Sequence, residues 1–526
     1  MALTSDWWIV NSQSPGHYQP YSFLRTPYLY QIASGFLLAL SFPFPGWGFL
    51  AWFALVPLLA SLHHAQNNSQ ALGFGLISGI IYFFISLHWL TYVSTVGWLL
   101  LALMESVSVM VFAWLAYVGM KSQKPVVFKA LWIALGWTVT EILRSEIPVF
   151  GFGWNLLAYS QSPYLRLIQF ANVIGAYGLG FLIAWVNAAI FCAWFWRKER
   201  KTVLGLVVAG ALVLAGLWGY GNMTLAKPVE PKEYLRVSVL QGNIPQSVKW
   251  EPMAREKILE IYEKLTQLAA LEQPDLILWP EAAFPGYFNR DIQAERIARL
   301  AAEVQTPFLI GGLEWESENE SYNSAYFLGK DGALGQRYDK LRLVPFGEYI
   351  PLKPVFGWLT PVADALGISD FHAGKESVVF RWAREDWPFG VLICFEDVFS
   401  DLARDLTDGG AKFLAVITND AWFGKTSAPF QHLQASIFRA VENGVAVVRA
   451  ANTGVSGFVS HQGRVLATVK DERGDETFVM GQKTFDLPLV SEWTLFRQGG
   501  FLFPCFAVAC FLIFGLFVFK KNKNHE

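Results

Sequence analysis

The sequence predicts a multi-span α-helical membrane domain joined to an α/β domain, on three observations. Hydrophobic residues make up 53% of the 526-residue chain and charged residues only 16%, against roughly 25% charged in an ordinary soluble chain. The charge is also uneven. Residues from about Tyr28 to Asn222 are almost wholly apolar, whereas Glu230 to about Trp493 mixes charged and apolar segments. Within that mixed region, short apolar runs alternate with stretches of helical periodicity, the pattern of layered strands and helices.

A bilayer core of about 30 Å needs about 20 apolar residues per helix. Spans are expected near residues 28–44, 47–63, 71–92, 97–119, 126–146, 165–195, 203–222 and 499–519. The first two are short and broken by Pro43, Pro45 and Pro57. Buried core helices are the alternative, but so many runs in succession with almost no charge between them argue against it. Met1 to Pro27 is polar and aromatic, unlike a cleavable leader, so the first span is expected to act as an uncleaved anchor.

With eight spans, Arg25, Lys121/Lys124/Lys129, Arg197/Lys198/Arg200/Lys201 and the C-terminal lysines fall on one side. Positive charge marks the cytoplasmic side. The expected order is a cytoplasmic segment over 1–27, a membrane domain of about seven helices over 28–222, an extracytoplasmic domain over 233–490, a final span over 499–519 and a cytoplasmic tail over 520–526. In a bacterium this is a multi-pass inner-membrane protein with its large domain in the periplasm. A net charge of −2, with no basic groove in the pattern, argues against a nucleic-acid partner.

In the α/β region, strands are expected over Leu235–Gln241, Asp275–Trp279, Pro307–Gly311, Ala325–Leu328, Phe389–Cys394, Lys412–Thr418 and Val445–Ala450. Helices are expected over Pro252–Leu271, Ile292–Val304, Val398–Thr407 and Gln431–Asn443.

Of the four cysteines, Cys192, Cys505 and Cys510 lie in the apolar spans. Cys394 alone falls in the α/β region, where Val391-Leu392-Ile393 stops at the thiol and Phe395-Glu396-Asp397 follows. A lone exported cysteine has no local disulfide partner. Upstream, Leu276-Ile277-Leu278-Trp279-Pro280 ends at Glu281, and Lys340 precedes Pro345-Phe346-Gly347-Glu348. A base, a cation and a thiol at strand ends suit covalent acyl transfer without a histidine. The plain alternative is three unrelated residues.

Competing chemistries lack their signatures. There is no G-x-S-x-G elbow, no H-E-x-x-H, no phosphate loop and no dinucleotide fingerprint. The eight histidines are scattered, so neither a metal site nor a bound cofactor is expected. His432 could pair with Cys394, but a structural place after Trp422-Phe423-Gly424 is the favoured reading.

Trp279-Pro280-Glu281, Lys340 with Pro345-Phe346-Gly347-Glu348, and Ile393-Cys394-Phe395-Glu396 resemble the Glu-Lys-Cys site of the nitrilase superfamily. Thr418-Asn419-Asp420-Ala421-Trp422-Phe423-Gly424 is a further match. With spans on both sides, the chain resembles the apolipoprotein N-acyltransferases over nearly its whole length, including Gln241-Gly242-Asn243-Ile244-Pro245-Gln246, Trp250 and Tyr322-Asn323-Ser324. The resemblance implies a nitrilase-like α-β-β-α sandwich that moves an acyl chain from a phospholipid, through a cysteine thioester, to the α-amino group of a diacylglyceryl-cysteine apolipoprotein. It implies Glu281 as base, Lys340 as oxyanion partner and Cys394 as nucleophile, with Glu348 orienting the lysine or base and Glu396 positioning the second substrate. Asn323 and Trp250 are carried over without an assigned role. Phe395 stands where many members carry tyrosine, keeping the ring and losing the hydroxyl.

Residues 351–371 hold Val355, Phe356, Trp358, Leu359, Val362, Leu366 and Phe371 with little charge before Asp370. A lid facing the bilayer is expected there, against a loop packed on the core. The loop Phe150–Asn155 is expected to line the same entrance or to form an interfacial aromatic belt. One chain carries the whole triad, so it is expected to act as a monomer. Two rival functions remain at this point: a membrane-tethered nitrilase-like amidase, and a non-catalytic membrane scaffold.

Overall fold

The structure is a computed structural model that describes residues 28–227, 231, 233–318, 320–357, 370–381 and 387–519. The expected terminal segments 1–27 and 520–526, and Trp358, Leu359, Val362 and Leu366 of the expected lid, lie outside the described residues.

The apolar region forms α1 (Tyr28–Leu40), α2 (Val56–His64), α3 (Asn68–Ser86), α4 (Thr95–Lys121), α5 (Val126–Glu146), the short α6 (Leu165–Ile168), α7 (Ala171–Phe195) and α8 (Arg200–Ala226). Among the described residues, six helices are long and apolar enough to cross a membrane: α3, α4, α5, α7, α8 and the terminal Gly500–Phe519. The first two expected spans are shorter than a bilayer. The 13 residues of α1 extend about 20 Å, and Gly48–His64 begins as a 3₁₀ turn before Pro57 opens α2. Proline explains both, since it ends one helix and starts the next. The run expected over 165–195 divides into α6 and α7.

Within α7, the helix breaks at Ile174 and at Gly175, whose φ is +69°. The Ala176 amide freed by the break donates to Glu442 Oε1 at 2.8 Å. A Cβ on Gly175 would lie 2.7 Å from the Phe496 ring, so glycine serves both the left-handed backbone and the close approach.

Among the described residues, the α/β region builds two six-stranded sheets, ordered β12-β1-β2-β3-β4-β5 and β11-β10-β9-β8-β7-β6. Their strands are β1 (Glu233–Gln241), β2 (Leu276–Leu278), β3 (Phe308–Ser317), β4 (Glu320–Leu328), β5 (Leu334–Asp339), β6 (Val379–Phe380), β7 (Phe389–Ile393), β8 (Phe413–Thr418), β9 (Ala446–Ala451), β10 (Gly457–Val459), β11 (Val465–Thr468) and β12 (Gly481–Leu489). The sheets pack face to face through a core that includes Val237, Leu278, Leu309, Val391, Ile417 and Val448. Helices α9 (Arg255–Ala270) and α10 (Gln293–Val304) cover the outer face of the first sheet. A single turn, α11 (Lys353–Phe356), precedes α12 (Ser400–Asp408) and α13 (Ala428–Asn443), which cover the second. The result is an α-β-β-α sandwich. The central strands β7, β8 and β9 pair in parallel, and with both faces covered they are apolar except for Thr418 and Arg449.

Helix α13 seats the sandwich on the membrane domain. Of its 16 residues, only Phe430 and Leu433 are not buried, and both are half-buried. Its polar residues bond to both sides. Gln431 Oε1 accepts from the indoles of Trp89 and Trp154, each at 2.9 Å, and its amide donates to Ser86 O at 3.0 Å. Gln434 donates to Ser162 Oγ at 3.0 Å. On the opposite side, His432 lies between two buried carboxylates, 2.9 Å from Asp420 and 3.0 Å from Asp397. Arg449 of β9 completes the set, donating to Asp397 Oδ2 and Ser436 Oγ at 2.8 Å. Two carboxylates face two cations, so the buried cluster closes without net charge.

Burial opposes a charged His432, but Asp397 and Asp420 outweigh both burial and Arg449 and push its pKa up from 6.5 to about 9. The stabilisation is fully present below about pH 6.5 and is lost as pH rises through about 9, on the order of 3 kcal/mol. The apparent melting temperature in detergent should therefore fall between pH 7 and pH 10. His432→Gln should melt lower at pH 6.5 and show a flatter dependence; an unchanged slope in the variant would contradict the assignment.

Candidate active site

Strand β7 ends at Ile393, and Cys394 opens a 3₁₀ turn through Val398 with φ at +55°. A left-handed non-glycine residue persists only where its surroundings hold it. Here Glu396 Oε2 accepts the Ile393 amide at 2.8 Å, and His432 Nε2 lies 3.2 Å from the Cys394 carbonyl oxygen. His432 therefore faces the backbone of the cysteine and two aspartates, as the structural reading expects. The turn leaves Cys394 half-buried while Phe395 to Val398 are buried.

The Glu281 turn follows β2. Its backbone packs on Gly311 of β3, where a Cβ would lie 2.3 Å from Pro280 O and 2.6 Å from Glu281 Cα. Only glycine allows the two segments to touch. Lys340 follows β5, and its amide donates to Asn323 O at 2.9 Å. Its ammonium is 1% exposed and lies 2.9 Å from Glu348 and 3.4 Å from Glu281. Asn323 Nδ2 binds both carboxylates, donating to Glu281 Oε1 and Glu348 Oε1 at 2.8 Å each. The second oxygen of Glu348 accepts the Val344 amide at 2.8 Å.

The electrostatics follow from that cluster. Burial alone would lower Lys340, but Glu348 and then Glu281 outweigh it and hold the lysine above its ordinary value. Burial pushes the Cys394 thiol well up and the Glu281 carboxylate adds to the rise, while Lys340 opposes it. Burial and Glu281 thus favour the thiol over the thiolate, while Lys340 keeps its charge.

The supporting residues divide. Asn323 and Glu348 join the cluster directly. Glu396, expected to position the second substrate, has both carboxylate oxygens on protein partners. It is fully buried, and burial raises its pKa to about 7. Its Oε1 accepts from Tyr338 Oη at 2.8 Å and from the Leu341 and Arg342 amides at 2.6 and 3.0 Å. With Oε2 on Ile393, this one carboxylate ties the lysine segment to the cysteine turn. The Phe395 ring is buried in a stack with Phe152 and Trp154 of the membrane domain, at centroid distances of 6.1 and 6.5 Å. That loop is held by Arg144 of α5, which donates to the carbonyls of Phe152, Trp154 and Asn155 and pairs with Glu105 of α4 at 3.2 Å. Trp250 remains 48% exposed at the rim.

Sequence reasoning missed Lys249. It is 2% exposed, and its ammonium donates to the Glu281 carbonyl at 3.1 Å. A lysine beside an exposed tryptophan carries no sequence signal of burial. Among the described residues, no group of three or more His, Cys, Asp or Glu is arranged to hold a metal ion.

Comparison with known proteins accounts for both halves of the chain. Residues 34–189 match the family model for the apolipoprotein N-acyltransferase N-terminal domain, and residues 236–494 match that for carbon-nitrogen hydrolase. An apolipoprotein N-acyltransferase from Geobacter metallireducens is 36% identical, over 84% of this chain and 86% of its own. Proteins of the same name from Haemophilus influenzae and Gloeobacter violaceus are 34% and 33% identical, over 84% and 82% of this chain and 86% and 84% of theirs. With the helical and the nitrilase-like halves both matched in one chain, this protein belongs to the apolipoprotein N-acyltransferase family.

Proposed function

We propose that this protein transfers an acyl chain from a phospholipid, through a thioester on Cys394, to the α-amino group of a diacylglyceryl-cysteine at the N-terminus of an apolipoprotein. The observation that carries the reading is a cysteine on a strained turn in the same domain as a buried Lys340 paired with Glu281 and Glu348, in a chain with six long apolar helices among the described residues.

In the first half-reaction, Cys394 Sγ attacks the ester carbonyl as its proton passes to Glu281. Lys340 faces the oxyanion, and charge complementarity of this kind contributes a few kcal/mol. Collapse breaks the ester C–O bond, and Glu281 returns the proton to the departing lysophospholipid oxygen. In the second, the acceptor amine attacks the thioester, Glu281 takes its proton, and collapse to the amide expels the sulfur, which recovers the proton. Asn323 and Glu348 keep lysine and base in register throughout.

The basic loops favour a multi-pass inner-membrane protein whose sandwich lies in the periplasm, next to both lipid and lipoprotein. The complete cluster lies within one chain, which supports action as a monomer. A membrane-tethered amidase could use the same three groups with water as acceptor, but the family membership and the aromatic coupling of membrane loop to cysteine turn favour lipid. A scaffold would not need a buried, charge-paired Lys340.

An apolar arm admits the lipid in this reading. Leu352 and Val355 are 49% and 60% exposed, and Phe356 meets Phe346 and Phe150, at ring separations of 5.7 and 6.4 Å. Phe150 belongs to the membrane loop expected at the same entrance.

Incubation with phosphatidylethanolamine and no acceptor should add one acyl chain to the intact mass. The adduct should be released by neutral hydroxylamine, be absent in Cys394→Ala and discharge onto a diacylated lipopeptide. No adduct on folded protein would sink the reading. Phe356→Ser should raise the phospholipid KM roughly tenfold with an unchanged melting temperature; a collapse in stability would assign the segment to the core instead.

A further inference from the structure

The Glu281–Lys340–Glu348 cluster is unbalanced. Two carboxylates share one ammonium, which lies 2.9 and 3.4 Å from them, so the set carries one surplus negative charge beside a thiol that must itself become negative. Lys249, on the loop after β1, brings the missing charge. Among the described residues no carboxylate oxygen lies within ion-pairing distance of its ammonium, and its hydrogen bond goes to the main-chain oxygen of Glu281 at 3.1 Å. It is 2% exposed, so water does not screen it.

We propose that Lys249 is the second cation of the acyl-transfer site, its unclaimed charge offsetting the surplus of Glu281 and Glu348 as negative charge passes onto Cys394. The proposal rests on Cys394 being the acyl acceptor. Lys249 acts through the field at the sulfur and through the Glu281 backbone, which makes it a positioning and electrostatic partner of the triad.

The charged and titratable groups that face it are Glu281, after β2, and Cys394, after β7; from its own loop, the Trp250 ring centroid lies 5.9 Å from the ammonium. Burial lowers the Lys249 pKa to about 8, with Glu281 and Cys394 opposing the fall. Below about pH 8 the lysine is charged and the site is balanced. Above it, the proton is lost and the sulfur faces two carboxylates with one cation between them. Lys340, pinned by both carboxylates, undergoes no such change near neutral pH.

Three variants of the full-length enzyme in detergent separate charge from shape. Lys249→Arg keeps the charge and cannot lose it, Lys249→Gln keeps a donor to Glu281 O without charge, and Lys249→Met keeps neither. Two rates are read against pH: acyl-adduct formation from phosphatidylethanolamine, and alkylation of Cys394 by iodoacetamide, followed on the Cys394 peptide.

In wild type, acylation should fall as pH rises through about 8. Lys249→Arg should acylate at a comparable rate at pH 7 and carry that fall to higher pH. Lys249→Gln should acylate at least about tenfold more slowly at pH 7 and alkylate about tenfold more slowly, the effect of moving the thiol by about one pH unit. Lys249→Met should be no faster than Lys249→Gln.

Wild-type rates in Lys249→Gln would overturn the proposal. So would an unmoved fall in Lys249→Arg, or equal losses in arginine and glutamine variants of unchanged melting temperature, which would leave only a steric role. A wild-type enzyme that takes no acyl chain from lipid would count against the acyltransferase reading, while alkylation would still report Lys249's effect on the thiol.

Discussion

A buried ammonium held between two carboxylates is the constraint on which the site depends. Lys340 has almost no contact with water, and an isolated charge in that position would be lost. Glu281 and Glu348 keep it, and Asn323 fixes their spacing by donating to both. Burial raises the thiol, and the same arrangement adds to the rise, because Glu281 opposes a thiolate more than Lys340 favours one. The resting state is therefore a neutral thiol beside a charged pair. In the proposed reaction, nucleophilicity arises only as an electrophile takes up the charge and the proton moves to Glu281.

Around that cluster, the fold converts membrane packing into site geometry. Helix α13 carries Gln431 toward two tryptophans of the membrane domain and His432 toward the cysteine turn, on adjacent residues. Arg144 fixes the loop whose Phe152 and Trp154 rings stack on Phe395, the residue after Cys394. The helical half thus does more than anchor. It contributes one wall of the turn that strains Cys394 into a left-handed conformation.

Legibility from sequence followed burial. Strands β7, β8 and β9 announce themselves because both faces are covered and nearly every residue is apolar, Thr418 and Arg449 being the exceptions. Strands β5 and β12 were missed because they lie at sheet edges with exposed positions. Strand β12 also carries Lys483, Asp486 and Pro488, and proline is tolerated there because an edge leaves one side unpaired. It meets β1 across some two hundred and fifty residues, with Glu233 opposite Leu489, a pairing no local pattern encodes. At the site, strand ends flagged Glu281, Lys340 and Cys394, and motif resemblance added Asn323 and Glu348. The His432–Asp397–Asp420–Arg449 cluster escaped notice because its members come from separate elements. Nothing local in the sequence signals that both oxygens of Glu396 bond to the backbone and to Tyr338.

The central claim is that the proton stays on sulfur until the acyl donor arrives. Infrared difference spectroscopy between wild type and Cys394→Ala at neutral pH tests it directly, through the S–H stretch. The account predicts an S–H band that belongs to Cys394 and persists at mildly alkaline pH. Its absence at neutral pH would mean a resting thiolate, and would contradict the balance of charge described for Glu281 and Lys340.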